Sequence, residues 1–201
     1  LEGVKHLVIA PEGLFHLFPL HALDLDGRGT TLLDTLAVSY VPALGILERL
    51  LKRAPVEEDE AIVLGYTPRG REQGIFLGEA KAVAAQMGVR PLLDGVATGA
   101  NLRKALQGRT LRLVHLSCHG SFNPEDPLQS GVLLADGLFT ARQWMELRFR
   151  ADLVTLSACQ TGLVGHMGGD ELAGLSQALL YAGASSLLLG LWSVNAVTTA
   201  H

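Results

Sequence analysis

What most restricts the fold of this chain is a set of five short, almost unbroken apolar runs: Val4 to Ala10, Ala61 to Gly65, Leu111 to Ser117, Leu153 to Ala158 and Ser186 to Leu191. Runs this brief, apolar at successive rather than alternate positions, suit strands covered on both faces, and such strands belong to parallel sheets. Between them the rhythm turns helical. Leu77, Ala80, Val83, Ala84 and Met87 recur at helical spacing, as do Leu102 and Leu106 behind a Thr98 cap. Thr140 and Gln143 fit a capping box ahead of Trp144, Met145 and Leu147, and Asp170 reads as the cap of a helix reaching about Tyr181, with Leu172, Leu175 and Leu179 inward. Leu36 to Val41 adds a strand and Ala43 to Lys52 a helix. The alternation predicts βαβ units in an α/β sandwich, with a mainly parallel central sheet and helices on both faces.

The chain has the material for such a core: 201 residues, 48% of them hydrophobic and 18% charged, suit one domain. Sixteen Lys and Arg against 20 Asp and Glu give a net charge of -4, which offers no electrostatic hold on nucleic acid or anionic lipid. No apolar stretch approaches the roughly eighteen residues of a membrane span, and the N-terminus lacks the order of a signal peptide. The two cysteines fit neither a disulfide framework nor a zinc site, as expected of a cytoplasmic protein. Leu14 to Leu23, interrupted by His16, Pro19 and His21, reads as a hairpin or irregular arm. Acid-rich Pro55 to Glu60 reads as an exposed linker after an N-terminal subdomain, 1–54. A start at Leu1 and a stop at His201 are expected of a piece of a longer chain.

Two segments carry chemistry. In LVHLSCHGSF the strand Leu111 to Ser117 runs out at Cys118, His119 and Gly120; in LVTLSACQTG the strand Leu153 to Ala158 runs out at Cys159. Open α/β sheets bind ligands beyond the carboxyl ends of their strands, so His119 and Cys159 are expected on one rim. A thiol is mostly protonated near neutral pH, and an adjacent imidazole can take its proton. Gly120 brings a backbone N–H without a side chain, and the Cys159 N–H is the second candidate donor of an oxyanion hole. Neighbouring strand side chains face opposite ways, which assigns Cys118 to packing. His115, on an apolar strand, reads as a hydrogen-bonded core histidine, and a zinc site from His115, Cys118 and His119 lacks a further ligand. No phosphate-binding glycine motif is present, and no cofactor is called for.

These residues resemble the CHAT domains, caspase-like modules often attached to tetratricopeptide repeats and related to caspases and separases. The resemblance rests on His119-Gly120, LSACQTG at 156–162, GGDELAGLSQALLYAGASSLLLGLWSV at 168–194 and IAPEGLFHLFPLHAL at 9–23, in order along most of the chain. It implies a caspase-like fold, His119 and Cys159 as a catalytic dyad, peptide-bond cleavage, and a protein or peptide substrate. In a longer chain it implies a tetratricopeptide-repeat region as neighbour. Its implied substrate pocket takes in Ser157, Trp192, Ser193, Asn195 and Ala196. Where the family carries acidic residues after Leu-Trp-x-Val, this chain has Asn195 and Ala196, so a basic substrate residue loses its partner.

The glycine-dense segment 160–169, with His166, suits a mobile loop over substrate, His166 itself being an ordinary surface residue. Two other readings stand beside the peptidase: a non-catalytic caspase-like module that engages protein partners through the same cleft, and a serine hydrolase built on Ser176. The latter needs a strand-turn-helix elbow, whereas the pattern around Ser176 is helical.

Overall fold

A computed structural model describes residues 3–12, 15, 18–24, 27–68, 70, 73–123, 125–160 and 170–190, with the backbone alone at Gln73, Cys159, Gln160 and residues 170–173. Strands β1 (His6–Ile9) and β2 (Ala37–Tyr40) pair in parallel as a two-stranded sheet of their own. Helix α1 (Leu44–Leu51) follows and lays Ile46 and Leu50 against the main core. Leu14 to Leu23 forms no hairpin among the described residues; Leu20–Ala22 is a short 3-10 turn.

The central sheet holds β3 (Ala61–Gly65), β4 (Leu92–Leu93), β5 (Thr110–Ser121), β6 (Gly131–Leu134), β7 (Gly137–Thr140), β8 (Arg150–Gln160) and β9 (Ala184–Leu189). Five strands lie in the order β4-β3-β5-β8-β9, every neighbouring pair parallel. The hairpin β6-β7 joins the far end of β5 antiparallel, through Gly120 opposite Val132 and Ser121 opposite Gly131. The sheet is therefore mixed, which corrects the expectation of a mainly parallel one. The omission has a local cause: Asp136-Gly137 between two apolar runs is a hairpin signal, and Gly137 takes the positive φ of 124° that the turn needs.

Helices cover both faces. On one, α2 (Gln73–Gln86) buries Ala80 and Ala84 against Val63. On the other, α3 (Gly99–Leu106), α4 (Ala141–Met145) and α5 (Asp170–Ala182) add Leu102, Leu106, Trp144, Leu175 and Leu179 to a core with Val114, Leu116 and Cys118. Thr98 and Thr140 cap α3 and α4 as read, each accepting from the N–H three residues on. Asp170 starts α5 rather than preceding it. Gly183 lets α5 pass directly into β9: its φ is 135°, and a Cβ there would stand 1.6 Å from the Phe149 carbonyl oxygen.

Two acids of the segment read as a linker, Asp59 and Glu60, pair with arginines at the start of β5. Asp59 pairs with Arg112 at 2.7 Å and Glu60 with Arg109, while Asp152 on β8 accepts the Val56 N–H at 3.0 Å. No helix among the described residues is long and apolar enough to cross a membrane.

Candidate active site

β5 and β8 run side by side, in parallel register from Thr110 opposite Arg150 to Gly120 opposite Gln160. Both extend further than their apolar runs, because their mutual pairing continues through His119 opposite Cys159 to Gly120 opposite Gln160. Three rungs of this ladder carry the polar residues: His115 opposite Thr155, Ser117 opposite Ser157, and His119 opposite Cys159. Positions two apart on a strand share a face, so these rungs line one face, the one that α2 covers. Cys159 thus holds the register position across from His119 on a neighbouring strand, and neighbouring strands lie about 4.8 Å apart.

Two other elements fix the His119 ring. Past the end of β3, Tyr66 still donates its N–H to the Ser117 carbonyl at 3.0 Å, which carries the chain on to the same rim. The next residue, buried Thr67, sets its Oγ1 2.9 Å from His119 Nε2. From α2, Phe76 lays its ring against the imidazole, with centroids 4.7 Å apart and a 60° tilt.

One turn further along α2, Glu79 reaches the rung beneath. Its Oε2 accepts from Ser117 Oγ at 2.6 Å and from Ser157 Oγ at 2.9 Å. Its Oε1 lies 3.6 Å from His115 Nε2, and His115 Nδ1 is 2.6 Å from Thr155 Oγ1. Glycine makes this reach possible: a Cβ on Gly65 would meet the Ala80 Cβ at 2.7 Å and lift α2 from the sheet. Ser157, which the resemblance assigns to substrate binding, has its hydroxyl engaged with Glu79 inside this layer.

His115 is the core histidine expected from the sequence. Burial holds its pKa below the ordinary 6.5, and the nearby Glu79 carboxylate only partly offsets that. At a depressed pKa the unfolded chain takes up the proton first, so stability is lost as pH falls through about 6.5. Melting temperature is expected to drop between about pH 7.5 and pH 5.5, with one proton contributing at most about 1.4 kcal/mol per pH unit. In His115→Gln the slope should be shallower, and equal slopes in the two proteins would remove this role.

Cys118 faces the opposite side, fully buried among apolar residues, and burial together with the Glu79 charge pushes its thiol up to about 12. It is the inert packing cysteine, and with it on the far face the zinc idea loses a ligand. Among the described residues no group of three His, Cys, Asp or Glu is arranged to hold a metal ion. Gly120 sits within the ladder, opposite both Val132 and Gln160, and a Cβ there would approach Phe122 to 3.3 Å. Ser176 lies inside α5, not in an elbow, so the serine-hydrolase reading lacks its required geometry. Trp192, Ser193, Asn195, Ala196, His166 and the rest of the glycine-dense segment 161–169 lie outside the described residues.

Sequence reasoning missed Thr67, Phe76, Glu79 and Ser117. Thr67 follows a strand end on the same rim, the rule that located His119. Glu79 interrupts the apolar stripe of α2 next to Leu77 and Ala80, and a charge on an inward helix face is the informative exception.

No curated protein matches the chain. The model of the CHAT domain family matches residues 1–201. The chain belongs to the CHAT domain family.

Proposed function

We propose that this CHAT domain is a caspase-like cysteine endopeptidase with Cys159 as nucleophile and His119 as general base. The observation that carries the reading is the register of β5 and β8, which sets Cys159 opposite His119 while Thr67 and Phe76 hold the imidazole. His119 takes the thiol proton, and the thiolate sulfur attacks the carbonyl carbon of the scissile peptide bond. The backbone N–H groups of Gly120 and Cys159 are the assigned donors to the resulting oxyanion. As the C–N bond breaks, the imidazolium protonates the leaving amine and a thioester remains on Cys159. Water, deprotonated by His119, then releases the acid and restores the thiol.

Substrate is a protein segment presented to the cleft, in a reducing compartment where the thiol stays free. A buried basic side chain without a carboxylate costs several kcal/mol, and Asn195 and Ala196 supply none. Cleavage after neutral residues is therefore expected, with Ala196→Asp shifting selectivity toward Arg and Lys. A peptide library incubated with the full-length protein and with its Cys159→Ala variant tests both points. Cleavage lost in the variant supports the reading. Equal cleavage by the two proteins would exclude Cys159 as nucleophile, and absence of cleavage by either would favour a non-catalytic module that binds protein through the same face.

A further inference from the structure

The polar face under α2 contains more than a dyad requires. Ser117 and Ser157 form the rung directly below His119 and Cys159, about 6.6 Å along the strands. One carboxylate oxygen of Glu79 accepts from both hydroxyls, one from each strand, at 2.6 and 2.9 Å. The Glu79 side chain is 16% exposed. A carboxylate so withdrawn from water costs free energy unless its acceptor sites are used, and hydroxyl donors shared between two strands use them where the strands must not slip. Phe76, one turn earlier on the same helix, touches the His119 ring, so a single turn of α2 governs both the imidazole and the rung that carries it.

We infer that Glu79 is a positioning residue of the dyad, clamping β5 to β8 through Ser117 and Ser157 and setting a negative charge beneath His119. The inference rests on the reading of His119 and Cys159 as a dyad. Among the described residues, the titratable groups near that rung are Glu79 from α2, His115 and Cys118 from β5, and Cys159 from β8, while β3 leads only to the Thr67 hydroxyl. Cys118 faces the other core, and His115 meets Glu79 through Oε1 rather than facing the dyad. The carboxylate is thus held in the rung beneath His119, engaged by Ser117, Ser157 and His115. An anion there favours the imidazolium and opposes the thiolate. Removing the charge moves the pH dependence of thiol reactivity, whereas loosening the clamp lowers the rate at every pH.

Alkylation of Cys159 by iodoacetamide as a function of pH separates these effects without needing a substrate. Glu79→Gln keeps an acceptor oxygen for the serines and removes the charge; its rate profile is expected to move to lower pH by about 0.5–1 unit. Glu79→Ala also removes the acceptor, and its maximal rate is expected to fall about tenfold or more in addition. A Glu79→Gln profile that superimposes on that of the unmodified sequence would overturn the inference. If that variant does not fold, Ser157→Ala decides: the charge stays and one strand is released, so a lowered maximum at an unmoved inflection supports the clamp, and an unchanged profile overturns it. His119→Ala is the control for the underlying reading. If it leaves Cys159 alkylation unaltered, the dyad itself fails; if it slows alkylation while the Glu79 variants do nothing, only the role of Glu79 fails.

Discussion

His119→Ala is expected to lower kcat/KM for peptide cleavage by about 10²- to 10⁴-fold, the range that a positioned general acid–base contributes. That corresponds to about 3–5 kcal/mol of transition-state stabilisation. The loss should fall mainly on kcat, because the imidazole acts on protons in flight and offers little to substrate binding. Its ring is also a packing element, held by Phe76 at 4.7 Å and by Thr67 at 2.9 Å, so part of any deficit is structural. Thr67→Val separates the two contributions: the shape stays, the hydroxyl goes, and activity should fall by less than in His119→Ala. A His119→Ala protein that is folded by circular dichroism and cleaves within about threefold of normal would remove His119 from the chemistry.

Much of this site was legible because periodicity and strand ends are local properties. Ala61 to Gly65 matches β3 from end to end, and the apolar runs before His119 and Cys159 lie inside β5 and β8. The two strands outrun their apolar segments because His119, Gly120, Cys159 and Gln160 remain paired, and backbone pairing is indifferent to side-chain polarity. The β6-β7 hairpin was overlooked in favour of the βαβ alternation, although Asp136-Gly137 marks it, and it makes the sheet mixed.

Register was out of reach. Nothing in the runs themselves says that His119 rather than Cys118 faces Cys159 across the ladder, since a slip of one residue would exchange their faces. Glu79 was hidden for a related reason. A helix pattern reveals a charge on the inward stripe, but not that two hydroxyls from strands far apart in sequence will meet it.

Because both thiols reside in one folded molecule, their relative reactivity shows whether His119 activates Cys159. Cys118 is buried and its thiol is pushed up to about 12. Near neutral pH even an ordinary thiol of pKa about 8.5 carries about 10³ times more thiolate than that. If His119 takes the proton of Cys159, iodoacetamide under native conditions should therefore label Cys159 at least about 10³-fold faster than Cys118, as read by mass spectrometry of the two peptides. Burial alone would slow Cys118, so the decisive comparison is made with His119→Ala. Cys159 in that variant is expected to label about tenfold or more slowly at pH near 7, while Cys118 is unchanged. A Cys159 rate independent of His119, or equal labelling of the two cysteines in the folded protein, would contradict activation of Cys159 by His119.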